Sequence, residues 1–81
     1  MTKLDPEIVD YYDSEVAEMI ATKYNYPLMQ ALRLFVLSKT HDMLEDEKHG
    51  FTRFGAGGVF DIWEAEHNTG DPRNSVYISG E

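Results

Sequence analysis

The sequence predicts an all-α fold, a small bundle of three to four helices with an extended C-terminal tail. Apolar residues recur three and four positions apart over several stretches, which is the spacing of a helix with one buried face. Proline and aspartate stand where these stretches begin, and asparagine or glycine stands where they end. The chain has 81 residues, enough for one compact domain. We therefore predict a single helical domain over residues 1–81.

The first helix is predicted over residues 5–24. Asp5 is a suitable N-cap, and Pro6 favours the first helical position. Asn25 can adopt the left-handed conformation that ends a helix. The apolar stripe predicted to face inward consists of Ile8, Tyr12, Val16, Met19 and Ile20.

The second helix is predicted over residues 27–48, with two alternatives near 38–40. Either Ser38 or Thr40 caps a separate helix, or one helix continues through Ser38. Its predicted inner face consists of Leu28, Ala31, Leu32, Phe35 and Val36. Met29, Leu34 and Leu37 are also apolar but point elsewhere. A helix that is apolar nearly all round either lies at the centre of a bundle or contacts another chain.

The remaining chain is predicted as a loop, a helix and a tail. Residues 51–58 form an aromatic and glycine-containing loop, and the third main helix is predicted over 57–68. The residues that it buries are predicted to be Val59, Phe60, Ile62 and Trp63. Residues 71–81 are predicted as a turn and an extended tail, because Asp71-Pro72 suits a type I turn and 75–79 alternate polar with apolar residues.

The charge of the chain limits its partners. It has 15 acidic and 7 basic residues, a formal net charge of −8 and no cysteine. Disulfides and cysteine-ligated zinc are thereby excluded. Most of this surface would repel nucleic acid and anionic lipid but would attract a basic protein. The predicted first helix contributes most to this attraction, because residues 5–18 contain six acids and no base.

The sequence also predicts where the protein acts. Acidic residues near the N-terminus occupy positions where a secretory signal needs an apolar stretch. The longest apolar run, residues 28–37, is interrupted by Gln30 and Arg33 and is too short to span a bilayer. We therefore expect a cytoplasmic location and no membrane partner.

Three residues spaced four apart, His41, Glu45 and His49, would line one face of a continuous helix. Two histidines and a carboxylate can bind zinc. However, His49 adjoins Gly50, where the helix should end, and the surrounding residues are mostly charged. We interpret the three as surface residues and predict no bound metal and no cofactor.

Other patterns that can accompany catalysis are incomplete. Glu64 and His67 form one Glu-x-x-His fragment, whereas a di-iron bundle needs two such fragments and two more carboxylates. The glycine-containing run 55–58 lacks the lysine and hydroxyl residue of a phosphate-binding loop. No serine has the strand-turn-helix context of a nucleophile. We predict that the protein is not an enzyme.

Residues 31–44 resemble a pattern found in small uncharacterised bacterial proteins. They read A-L-R-L-F-V-L-S-K-T-H-D-M-L, and the pattern is A-L-x-x-F-x-x-S-K-T-x-x-x-L. Proteins with this pattern look like small partners from toxin–antitoxin-type loci, and residues 69–78 are similar to the tails of some of them. The chain departs from them at Gly57-Gly58, where they tend to have a polar capping residue. The resemblance implies an accessory or antitoxin-like role and no activity.

These observations predict a non-enzymatic protein–protein interaction module with a basic protein partner. The alternatives are a purely structural homo-oligomer and, more remotely, a metal-dependent enzyme that uses the histidines. Because the second helix has more apolar residues than one face can hold, we also expect a homodimer through it. The candidate interaction residues are Asp10, Asp13, Glu18, Met29, Leu34, Leu37, Phe51 and Phe54.

Overall fold

A computed structural model describes residues 3–75, which form a compact all-α bundle. It has four α-helices: α1 (Pro6–Tyr24), α2 (Leu28–Val36), α3 (Lys39–Glu45) and α4 (Gly55–Thr69). Short 3₁₀ helices span Glu47–His49, Phe51–Phe54 and Pro72–Asn74. The predicted all-α fold is confirmed. The predicted turn after Asp71 is the last 3₁₀ helix, and the tail from residue 76 onward lies outside the described residues.

Helix α1 spans the predicted residues, but its buried face differs from the prediction. Asp5 Oδ1 accepts the backbone N–H of Glu7 at 2.9 Å, and Asn25 adopts the left-handed conformation. The buried residues of the helix are Val9, Tyr12, Val16, Ala17 and Ile20. Ile8 is exposed and Met19 is only half-buried, so their predicted burial is wrong. Val9 and Ala17 instead lie on the inner side of the helix, because the apolar stripe is broader than the face that the core can bury.

Helix α2 is the most exposed of the four in its apolar residues. Only Ala31 and Phe35 are buried. Leu28 and Val36 are exposed, which corrects their predicted place on the inner face. The alternative in which this helix lies at the centre of the bundle is therefore wrong. The core lies instead among α1, α3, α4 and the inner edge of α2.

Ser38 separates α2 from α3, so the broken alternative is the observed one. The Ser38 hydroxyl donates to the Phe35 carbonyl at 2.6 Å and accepts the backbone N–H of His41 at 3.1 Å. A carboxylate from α4 completes this junction. Glu66 accepts the N–H groups of Lys39 and Thr40, each at 2.9 Å, and the Thr40 hydroxyl at 2.8 Å. The start of α3 is therefore held by a residue that is distant in sequence.

Helix α4 begins at Gly55, two residues before the predicted start at residue 57. Phe54 precedes it without a side-chain cap, and Gly55 has a φ of +71°, a conformation that other residues adopt only with strain. The buried residues of α4 are Gly58, Val59, Ile62 and Trp63. Phe60, which was predicted to be buried, is half-buried against the core.

Candidate interaction surface

An apolar groove lies between α1 and α2. It has a volume of about 310 Å³ and is lined by Asp10, Asp13, Ser14, Ala17, Leu28, Met29, Leu32 and Val36. Leu28 is 52% exposed, Met29 73% and Val36 38%. These three side chains lie on the side of α2 next to α1, because Phe35 and Ala31 take the inward positions. The groove therefore presents contiguous apolar surface to solvent.

One wall of the groove is acidic. Asp10 is exposed, and Asp13 lies one turn further along α1. Asp13 is not a free surface acid, because its Oδ1 is 2.8 Å from Nε2 of His41 and its side chain is only 18% exposed. Burial raises the pKa of Asp13, while the charge and hydrogen bond of His41 oppose that rise. Asp10 remains an available charge, whereas Asp13 also has a structural role.

A second cavity, which we call the acidic pocket, shares this wall. Its volume is about 460 Å³, and its lining residues are Lys3, Leu4, Asp5, Pro6, Val9, Asp10, Asp13, His41 and Glu45. The Leu4 N–H donates to the Glu45 carbonyl at 2.8 Å and fixes the N-terminal segment beside the end of α3. Since Asp10 and Asp13 line both cavities, the apolar groove and the acidic pocket form one continuous surface.

His41 joins three helices beneath this surface. Its side chain is 7% exposed, its ring packs edge-on against Phe35 at 5.2 Å, and its Nδ1 lies 3.9 Å from Oε1 of Glu45. The sequence predicts His41 as a surface residue, and that prediction is wrong. The sequence does contain a relevant signal. His41 lies three residues after the Ser38 cap and three before the buried Leu44, which places it on the inner side of a short helix.

The other candidate residues lie away from this surface. Glu18 lines a separate shallow cavity with Glu15, Met19, Thr22 and Lys23, so it does not join Asp10 and Asp13. Leu34 and Leu37 line a different cavity, between α2 and α4, with Trp63 and His67. Leu34 is half-buried against the core, whereas Leu37 is 78% exposed.

The two aromatic candidates belong to the interior. Phe51 is 3% exposed and is part of the core, so it is unavailable to a partner and its prediction as an interface residue is wrong. Phe54 is half-buried, packs against Phe51 with ring centroids 5.7 Å apart, and carries the guanidinium of Arg53 over its ring at 5.0 Å. Both rings belong to the same 3₁₀ helix, Phe51–Phe54, which packs against the core, and so neither ring is fully exposed.

The predicted line of His41, Glu45 and His49 does not form. Helix α3 ends at Glu45, and the extended conformation of Asp46 turns His49 into a separate 3₁₀ helix. His41, Asp42 and Glu45 each place one potential ligand atom within 4.8 Å of the others. Neighbouring acidic groups commonly lie this close without an ion, and His41 already pairs with Asp13. We assign no metal site to them.

The Glu64-x-x-His67 fragment is also engaged within the fold. Glu64 accepts the Tyr24 hydroxyl at 2.7 Å and pairs with Nζ of Lys23 at 2.6 Å, while His67 stacks on Trp63 at 4.8 Å. Burial opposes ionisation of Glu64, but the hydrogen bonds from Lys23 and Tyr24 outweigh it and lower the pKa of Glu64. These contacts join α1 to α4.

This cluster gives a spectroscopic prediction. The hydrogen bond to Glu64 raises the pKa of Tyr24 to about 12, with burial adding to the effect. In an ultraviolet titration near pH 11, Tyr24 should therefore stay protonated after tyrosines with the ordinary value near 10 have ionised. Glu64→Gln should bring one tyrosine back toward the ordinary range. The Tyr24→Phe variant identifies the signal, and an unchanged titration in Glu64→Gln would contradict the assignment.

Among residues 3–75, no helix is both long and apolar enough to cross a membrane. Comparison of the chain with protein-family models, with curated proteins and with solved structures finds no match.

Proposed function

We propose that this protein is a non-enzymatic interaction module that binds a basic, amphipathic segment of a partner protein in the apolar groove. One observation supports this most directly. The exposed apolar side chains Leu28, Met29 and Val36 lie in a groove whose opposite wall carries Asp10 and Asp13. Exposed apolar surface bordered by polar residues is typical of a binding site.

The shape and charge of the groove define the partner. A groove between two helices suits an amphipathic helix, which inserts apolar side chains at positions i, i+3 or i+4, and i+7. The partner's flanking residues should be lysine or arginine, because they would face Asp10 in a chain of net charge −8. The resemblance of residues 31–44 to small partners from toxin–antitoxin-type loci supports an accessory or antitoxin-like role within this proposal.

Synthetic peptides provide the test. We expect a helical peptide with leucines on one face and lysines on its flanks to bind, and the same peptide with glutamates in place of lysines to bind at least about tenfold more weakly. Met29→Glu should abolish binding, because it places a charge in the apolar contact. Asp10→Lys should slow association and reduce its salt dependence, while both variants stay folded. Calorimetry and stopped-flow fluorescence measure these effects.

The matched control is Glu18→Lys, which makes the same kind of charge change on α1 outside the groove. Its effect on affinity should be much smaller than that of Asp10→Lys. Equal binding of the lysine and glutamate peptides, or unchanged binding to Met29→Glu, would contradict the proposal.

A second copy of the chain, bound through α2, is the alternative occupant of the same surface. Met29 is the most exposed large apolar residue of this helix and lines the groove, so it tests self-association better than the half-buried Leu34. Light scattering of the wild type and of Met29→Glu distinguishes the two. A wild-type dimer that dissociates in Met29→Glu would assign the groove to a second copy of the chain. A monomer that binds the basic peptide supports the proposal.

A further inference from the structure

The cavity between α2 and α4, which we call the α2–α4 groove, is separate from the apolar groove. Its volume is about 370 Å³, and the two cavities share no lining residue. One wall comes from α2 and its C-cap, and the other comes from α4. These walls include Gln30, Arg33, Leu34 and Leu37 on the first side and Trp63 and His67 on the second. The proposed function leaves this surface unused.

The apolar part of the α2–α4 groove is open to solvent. Leu37 is 78% exposed, the highest value among the large apolar side chains of residues 3–75. Its N–H donates to the Arg33 carbonyl at 3.1 Å, so Leu37 lies one turn after Arg33 on the same side of the helix. On the opposite wall, the rings of Trp63 and His67 stack with their centroids 4.8 Å apart. An apolar side chain inserted between Leu37 and these rings would remove apolar surface from water on both walls.

Arg33 gives this groove a positive charge that the fold itself does not use. The side chain is exposed, and its guanidinium makes no ion pair or hydrogen bond within residues 3–75. Helix α2 has no acidic residue, so no carboxylate lies one turn away on the same helix. Glu66 is the acid that lines the groove among the described residues, and it already accepts three hydrogen bonds from the start of α3. The charge of Arg33 is therefore available to a partner.

We propose that the α2–α4 groove binds a helical segment of a partner protein that has an aspartate or glutamate one turn from an apolar side chain. The carboxylate pairs with Arg33, whose planar guanidinium can donate two parallel hydrogen bonds to it. The apolar side chain contacts Leu37 and Trp63. A second copy of the chain, bound two-fold through this side of α2, fits less well because antiparallel helices would bring the two Arg33 side chains together. The site prefers the opposite charge to the apolar groove and does not depend on the proposed function.

Two synthetic helical peptides of about 15 residues provide the test. Both have leucines along one face, and one turn from a leucine the first has a glutamate where the second has a glutamine. Trp63 is the single tryptophan of the chain and lines the groove, so its fluorescence and its indole NMR signal report binding at this site. We expect the glutamate peptide to bind about tenfold more tightly than the glutamine peptide. The measurement uses about 0.15 M salt, because charges more than about 8 Å apart are then largely screened and the acidic residues elsewhere repel the peptide less.

Variants of the two contact residues assign the binding to the groove. Arg33→Gln should bind both peptides equally, at the affinity of the wild type for the glutamine peptide. Leu37→Ser should weaken both peptides about tenfold, because it removes the apolar contact. The control Lys48→Gln makes the same change of charge at an exposed position outside the groove and should behave as the wild type. Arg33 and Leu37 are exposed, so we expect their variants to fold, which circular dichroism checks.

The outcomes separate this inference from the proposed function. Equal binding of the two peptides to the wild type, or a preference for glutamate that persists in Arg33→Gln, would overturn the inference even if the lysine-flanked peptide binds the apolar groove. A preference that requires Arg33, with weaker binding in Leu37→Ser, supports the inference even if the lysine-flanked peptide does not bind. Light scattering tests the other occupant. A wild-type dimer that dissociates in Leu37→Ser would assign the α2–α4 groove to a second copy of the chain and would also overturn the inference.

Discussion

The variant Glu66→Ala is expected to lose about 2–3 kcal/mol of unfolding free energy, because three hydrogen bonds to one carboxylate disappear. Two of the bonds come from N–H groups at the start of α3, which has only seven residues and could not persist alone. The negative charge of Glu66 near the N-terminus of α3 also interacts favourably with the helix dipole. In a domain of this size, such a loss is a large fraction of the stability.

Urea and thermal unfolding followed by circular dichroism measure this effect. The Tm of Glu66→Ala should fall by about 10–20 °C. Glu66→Gln should lose less, because its amide oxygen still accepts hydrogen bonds. The exposed control Glu47→Ala should stay within about 0.5 kcal/mol of the wild type. A change in Glu66→Ala as small as that of the control would show that the carboxylate does not hold α3.

The variant Asp13→Lys is expected to destabilise the domain by about 2–4 kcal/mol, since it removes the partner of the buried His41 and places an ammonium group beside the ring. Asp10→Lys, one turn away and exposed, should leave the stability nearly unchanged. This result would distinguish Asp13 from Asp10, which the sequence analysis names alike as candidate interaction residues. Similar unfolding midpoints for Asp13→Lys and Asp10→Lys would contradict the expected difference in stability.

The pH dependence of the same site has a definite sign. Because burial raises the pKa of Asp13 in the folded protein above its ordinary value of 3.8, the folded state binds this proton more tightly than the unfolded state. The stability that Asp13 contributes is therefore present below about pH 4 and decreases as pH rises through the folded pKa. We expect the Tm of the wild type minus that of Asp13→Asn to decrease over this interval. A difference that rises with pH would show that the His41 interaction outweighs burial.

Local sequence signals predicted the helices well, because their ends depend on neighbours in the chain. Asp5 and Asn25 cap α1 through contacts within a few residues, and both were recognisable from residue type. The break at Ser38 was recognisable only as one of two alternatives. Ser38 can cap a helix or lie within one, and the carboxylate of Glu66, almost thirty residues away, favours the cap.

The candidate surface was only partly predictable. Composition alone indicated an acidic first helix and an excess of apolar residues on the second, because both are properties of short stretches of sequence. Helical spacing could not show that Asp10 lies across a groove from Met29, or that Leu37 lies in a different cavity. Which side of α2 meets which neighbour depends on the packing of α1 and α4.

The sequence by itself therefore determined the all-α class, the ends of α1 and the acidic net charge of the chain, since these follow from residue type and short-range spacing. Only the tertiary structure decided that Phe51 is interior and that His41 is buried between Asp13 and Glu45. It also decided that the apolar groove and the acidic pocket are continuous. The physical reason is that burial and pairing across helices depend on how the helices are rotated and packed, and periodicity along one helix does not specify that.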